Sequence, residues 1–180
     1  MKRTFTWLVA GAMSFSALAG CSASPTSCGT SAAAATSIKI GLNFELSGDV
    51  ASYGQAEAQG AEMAAEEINA AGGIKAGNDV YKIKVIANDD KANPTEATNS
   101  VRKLIDRDGA KYLLGFCCSG PTSAVASFIE KENALMLVGN AAERSVTTQG
   151  LSNLFRTRPP ADYTGAAAGK FVGSKGHKRL

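Results

Sequence analysis

The residues with the most chemistry in them sit together at Phe116-Cys117-Cys118-Ser119-Gly120-Pro121-Thr122. Two thiols, two hydroxyls and a glycine follow an apolar run and surround a proline, the residue often found in the first turn of a helix. A turn of this kind leaves peptide N–H groups at a helix start, where the dipole favours a small anion such as a carboxylate. Ser119 and Thr122 add hydroxyls, and Gly120 lets a ligand approach the backbone closely. In a second reading, Ser119 only caps the helix that Pro121 begins. The thiols allow a third, because Gly115-Phe116-Cys117-Cys118-Ser119 has the outline of a strand-to-helix nucleophile turn with Cys117 attacking. Such a hydrolase needs a base. The single histidine, His177, stands in the basic tail Lys175-Gly176-His177-Lys178-Arg179.

Two further loops carry polar groups. Gly139-Asn140-Ala141-Ala142-Glu143-Arg144 offers the Asn140 side chain and the Ala141 carbonyl, with Glu143 and Arg144 at a solvated helix start. The stretch Leu46 to Tyr53 offers Ser47 and Tyr53, the latter either packing on a ligand or capping the next helix. Asp89 and Asp90 are neighbours whose side chains face apart in extended chain, so they are read as loop hydrogen-bonding groups and not as an acid–base pair. We read no metal or cofactor site.

Hydrophobic patterning supplies the elements that hold these loops. Strands are expected at Ile38–Phe44, Val80–Ala87, Lys111–Phe116 and Ala134–Val138, with a short one at Leu154–Thr157. Helices are expected at Tyr53–Ala70, from Pro94 through Ile105, at Pro121–Lys131 and at Ala161–Val172. The first presents Ala61, Ala64, Ala65 and Ile68 as a small buried face and stops at Gly72-Gly73. The second buries Ala97, Val101, Leu104 and Ile105. The Lys111–Phe116 strand reads as one buried on both faces. Alternating strands and helices predict an α/β fold, a doubly wound parallel sheet with right-handed crossovers. Ligands of such sheets bind beyond the carboxyl ends of the strands, where the three loops lie.

The segment from Leu46 to Ile74 adds a family resemblance. It contains Leu46-Ser47-Gly48, Tyr53-Gly54, Gly60-Ala61, Glu66-Glu67-Ile68-Asn69-Ala70 and Gly72-Gly73-Ile74 in order. This resembles the opening of the type I periplasmic solute-binding proteins of the branched-chain amino acid branch, whose fold also carries receptor ligand-binding domains. The resemblance runs from Ile38 to about Arg179. It implies a partial N-terminal lobe (residues 38–180) with the second lobe incomplete. The implied function is capture of a small amino acid or related amide for an ABC importer, with the permease as partner and no enzymatic step. A ligand-sensing domain of a signalling receptor is the alternative. By the same resemblance, Ser119 and Thr122 take an α-carboxylate, with Gly120 between them. Asn140 and the Ala141 carbonyl face the ammonium end, and Tyr53 packs on the ligand side chain. A hydroxyl position of the family is Ala142 here. The family's disulfide partner for Cys118 falls at or near Ala92, so Cys117 and Cys118 either bond to each other or stay thiols.

The front of the chain reads as an export signal. Lys2 and Arg3 precede an apolar run from Phe5 to Ala19, too short for a membrane span of about 20 residues. Leu18-Ala19-Gly20-Cys21 resembles a lipobox, implying cleavage before Cys21, lipid on its sulfur and a protein held at the cell envelope. Residues 21–37, rich in Ser, Ala and Thr and containing Cys28, read as a tether. Charge falls from +3 for the 180 residues to +1 once Lys2 and Arg3 are subtracted. No basic stripe interleaves with aromatics, so nucleic acid is not a partner.

Overall fold

The computed structural model describes residues 36–177. The lipobox, the signal segment and the tether with Cys28 lie outside them. The chain order is β1 (Thr36–Phe44), α1 (Ala51–Ala70), β2 (Ile74–Ala76), β3 (Asp79–Asp89), α2 (Pro94–Arg102), β4 (Tyr112–Gly115), α3 (Ser119–Lys131), β5 (Leu135–Val138), β6 (Leu154–Arg156) and α4 (Ala161–Ser174). A π-type turn at Lys103–Arg107 prolongs α2, and a 3-10 turn at Arg144–Thr147 lies between β5 and β6.

The six strands form one sheet in the order β2-β3-β1-β4-β5-β6. β1 pairs in parallel with β3 on one side and β4 on the other, and β5 and β6 continue in parallel. β2 alone is antiparallel, a hairpin strand on the edge that the alternation pattern did not foretell. The chain winds from β1 toward β3, then crosses back over β1 to β4. That reversal puts α1 on one face and α2 with α3 on the other.

The main core lies under α2 and α3. Ala97, Val101, Leu104 and Ile105 pack there with Leu113, Phe116, Val125, Ala126, Ile129, Met136 and Val138. Asn93 starts α2 by accepting hydrogen bonds from the Thr95 and Glu96 amides, and Pro94 fills the first turn. The opposite face holds a smaller cluster of Leu42, Phe44 and Ala58, with Ile40, Val85 and Leu114 beside it.

Two expectations need correcting. β4 is not buried on both faces: Leu113 is buried, Leu114 half-buried and Tyr112 50% exposed, because only α1 covers that side. The buried stripe of α1 is Gly54, Ala58 and Ala65 with Ala61 half-buried, while Ala64 and Ile68 are exposed. The helix is turned so that its glycine faces the sheet. An alanine Cβ at Gly54 would sit 2.2 Å from the Glu45 carbonyl oxygen. The absence of a side chain there lets α1 rest directly on the end of β1. α4 buries no residue, and none of the described helices is long and apolar enough to cross a membrane.

Candidate functional site

The carboxyl end of β1 delivers Glu45, fully buried, into the space between the three loops. Its Oε2 accepts the Cys117 N–H at 3.0 Å and its Oε1 the Cys118 N–H at 2.9 Å. One carboxylate thereby sets the turn that leaves β4 for α3. The parallel register makes this possible by bringing Asn43 opposite Gly115, which places the next residues of both strands side by side.

The first loop is tied to the end of β3. Asp89 accepts from the Leu46 N–H (2.9 Å), the Ser47 N–H (3.3 Å), the Ser47 hydroxyl (2.5 Å) and the Lys91 N–H (2.9 Å). Burial pushes the Asp89 carboxyl up, but the bonds from Ser47, Lys91 and Leu46 outweigh it and hold the group below its usual range. Asp90 accepts the Ala92 N–H and the Asn43 amide. Both acids are thus occupied with loop hydrogen bonds. Burial first and the Glu45 charge second push the Asp90 carboxyl up to about 7, and the same two causes raise Glu57 to about 7. Glu57 Oε2 is buried without a hydrogen-bond partner among the described residues.

The middle loop enters α3 two residues earlier than Pro121 implies. Cys118 is the residue before the helix and Ser119 its first. Ser119 therefore does not act as the cap: its hydroxyl oxygen accepts the Glu143 N–H at 3.1 Å, joining the middle loop to the β5 loop. That bond leaves the Ser119 proton for another acceptor. Within the turn the Cys117 and Cys118 amides are used by Glu45, the Thr122 N–H returns to the Cys118 carbonyl, and Pro121 has none. Ser119 and Gly120 keep the open N–H groups of the first turn among the described residues, and Gly120 is exposed. Thr122 is fully buried, and its hydroxyl donates to the Cys118 carbonyl at 2.8 Å.

The β5 loop is held by two arginines that sequence reading passed over. The Arg156 guanidinium donates to the carbonyls of Ala141 (3.3 Å), Glu143 (2.6 Å) and Arg158 (3.1 Å), and to the Thr147 hydroxyl (3.2 Å). Arg158 donates to the Asn140 side-chain oxygen at 2.5 Å. Their only sequence signal was the pattern Arg156-Thr157-Arg158 at the end of a short strand. Glu45 was equally legible only as a lone acid closing an apolar strand.

These contacts leave a cleft pocket of about 180 Å³ lined by Val50, Tyr53, Cys117, Cys118 and Asn140. Tyr53, 60% exposed, and Asn140 face it together. Ser119 and Gly120 follow directly on its cysteines. Ala141 is buried with only its carbonyl engaged, and Ser47 is turned to Asp89. A larger trough of about 350 Å³ lies on the α1 side, lined by Phe44, Glu57, Leu114, Leu137, Asn140 and Thr157 among others.

Cys117 and Cys118 are thiols with their sulfurs 3.7 Å apart. Burial, and after it Glu45, pushes both thiols up, the reverse of what a cysteine nucleophile needs. His177 is exposed beyond α4. The geometry gives the hydrolase reading no support. The two sulfurs and a Glu45 oxygen do lie within 4.8 Å of one another, close enough to share a metal ion.

Residues 37–180 match a family model described as periplasmic binding protein. The chain is 36% identical over 155 residues to the Leu/Ile/Val-binding protein of Escherichia coli, covering 86% of this chain and 40% of that protein. It is 34% identical over 142 residues to the leucine-, isoleucine-, valine-, threonine- and alanine-binding protein of Pseudomonas aeruginosa, covering 79% and 37%. Among solved structures it resembles the branched-chain amino acid transporter substrate-binding protein LivJ of Streptococcus pneumoniae in complex with isoleucine. There the TM-score is 0.64 at 35% identity, over 69% of this chain and 34% of that one. The chain thus spans about two fifths of the length of the curated relatives it matches.

Proposed function

Because this chain belongs to the periplasmic binding protein family, in its branched-chain amino acid branch, we propose that it supplies one lobe of an extracytoplasmic receptor that captures a small amino acid or related amide for an ABC importer. The observation that carries this reading is the pair of open N–H groups at Ser119 and Gly120, at the head of a 13-residue helix and beside the cleft pocket. An α-carboxylate there would receive both N–H groups and the Ser119 hydroxyl proton, with the helix dipole behind them and no cationic side chain needed. The ammonium end would face the carbonyl side of the β5 loop, at Asn140 and Ala141, held in place by Arg158 and Arg156. Tyr53 would close over the ligand side chain. Ser47 and Thr122 would act indirectly, one shaping the first loop through Asp89 and the other fixing the first turn of α3.

The function is binding without chemistry. Residues 1–20 would direct export, and lipid on Cys21 would hold the receptor at the cell envelope beside its permease. Residues 21–37 would serve as the tether. The chain's similarity to proteins named for leucine, isoleucine and valine supports an aliphatic amino acid as first candidate. Ala142, where the resemblance expects a hydroxyl, supports testing amides as well. The experiment is a two-dimensional amide NMR titration of the chain with leucine, isoleucine, alanine and small amides up to their solubility limits. A single lobe should bind weakly, so the expected result is fast-exchange shifts confined to Ser119, Gly120, Asn140 and their neighbours. Shifts elsewhere, or none with any of these solutes, would refute the assignment of the cleft.

A further inference from the structure

We propose that the sulfurs of Cys117 and Cys118 and a carboxylate oxygen of Glu45 form a binding site for a soft, zinc-like divalent cation at the base of the cleft. The separation of the sulfurs is the first argument. Two thiolates on one tetrahedral zinc, each about 2.3 Å from the metal, stand about 3.7–3.8 Å apart. The observed separation is 3.7 Å. A disulfide would need about 2.05 Å. The two sulfurs, in thiol–thiol contact here, could therefore occupy two positions on one metal without moving apart.

The third ligand is positioned independently of the thiols. Glu45 is fully buried at the end of β1, and its two oxygens are aimed at the cysteine turn by the N–H groups of Cys117 and Cys118. Each oxygen keeps a further lone pair, and the N–H bonds act as outer-shell contacts that orient a ligating carboxylate. All three ligand atoms lie within 4.8 Å of one another. Charge points the same way. Glu45 stands near Asp90 and Glu57, and the ion pair found among the described residues, Arg144–Asp162, is elsewhere. A buried carboxylate is ordinarily paired or metal-bound.

The pocket lined by Val50, Tyr53 and Asn140 gives the ion a route in and leaves its fourth position facing the cleft, the arrangement of an open zinc site. Binding is a ligand exchange without oxidation or reduction. The hydrated ion gives up waters, and its charge must displace the protons of two thiols that burial and Glu45 hold up in its absence: two S–H bonds are replaced by two S–metal bonds, and two protons pass to solvent. Glu45 contributes a lone pair. Ser119 and Gly120 are not among the ion's ligands, although the ion and the proposed amino acid would face the same pocket.

The test uses the full chain with Cys21→Ser and Cys28→Ser, so that the two thiols in question are the ones left, reduced with a phosphine and titrated with Co2+ alone. One equivalent should produce sulfur-to-cobalt charge transfer and the intense visible bands of tetrahedral cobalt, and Zn2+ should abolish both. Cys117→Ser and Cys118→Ser, near-isosteric changes checked for native far-UV circular dichroism, should each remove the charge-transfer band in part and weaken binding at least about tenfold; the double variant should remove the band altogether. Glu45→Gln should keep the charge transfer and weaken binding by about tenfold, with the visible bands shifted. Weak octahedral bands only, or bands that survive the double cysteine variant, would overturn the site. Unchanged affinity in Glu45→Gln would remove Glu45 from the ligand set and overturn the three-ligand assignment.

Discussion

The sharpest test of the fold is the same substitution made at two positions of α1. At Gly54 an added methyl would lie 2.2 Å from the Glu45 carbonyl oxygen, 2.7 Å from its carbon and 2.8 Å from its nitrogen. Ordinary contact begins at about 3.5 Å, so helix and strand would have to separate by roughly 1 Å. The neighbour is backbone and cannot rotate away. Overpacking of this kind costs about 1–3 kcal/mol. The better helix propensity of alanine returns about 1 kcal/mol, which leaves Gly54→Ala destabilised by up to about 2 kcal/mol. At Gly60, on the same helix, a methyl would meet nothing within 4 Å. Gly60→Ala should therefore stabilise by about 1 kcal/mol. For a domain of this size each kcal/mol moves Tm by about 2–4 °C, so a gap of about 1–3 kcal/mol should melt the two variants about 2–12 °C apart, with Gly54→Ala the lower. Circular dichroism melts and urea titrations of the three proteins decide it. Because Gly54 rests on Glu45, Gly54→Ala should also speed hydrogen exchange at the Cys117 and Cys118 amides, and Gly60→Ala should not. If both variants shift stability in the same direction, the close approach of α1 to β1 is wrong.

Glu45→Ala leaves two half-buried N–H groups without an acceptor, at about 1–3 kcal/mol each if water does not reach them; a loss near 2 kcal/mol is expected, read from urea midpoints, and no loss would sink the role given to this carboxylate. Arg156→Ala removes three hydrogen bonds to the connection between β5 and β6, at Ala141, Glu143 and Thr147. It should broaden the amide signals of Ala141 to Glu143 and weaken solute-induced shifts there, whereas unchanged spectra would mean the loop holds itself. The raised carboxyls of Glu57 and Asp90 set a pH dependence. Both titrate near 4 in the unfolded chain and at about 7 in the folded one, so the folded state binds more protons in between. Stability should fall as pH rises from about 4 to about 7 and then level off. At about 1.4 kcal/mol per pKa unit, and with Glu57 discounted for the solvent that still reaches it, the fall is about 3–5 kcal/mol and comes mostly from the fully buried Asp90, measurable by urea denaturation across that range. Glu57→Gln should flatten part of it, and stability rising over that interval would contradict the sign.

Much of the molecule was legible before any coordinates, because the signals are local. Alternation and helical spacing place every long element within a few residues, and Pro94 and Gly72-Gly73 mark where helices start and stop. The same patterns, with the resemblance at Leu46 to Ile74, lead to the parallel sheet and to the three loops at its edge. Local signals could not tell which side of α1 faces inward, since Ala61, Ala64 and Ala65 are equally small and the deciding contact is between backbones at Gly54 and Glu45. Nor could they show that Thr122 is buried, or that Ser119 receives the Glu143 amide in place of capping α3. Glu45 and the cysteine turn are 72 residues apart in the chain. Only the pairing of β1 with β4 sets them side by side, and only burial makes that carboxylate's hydrogen bonds, and its charge, matter to Glu57, Asp90 and the two cysteines.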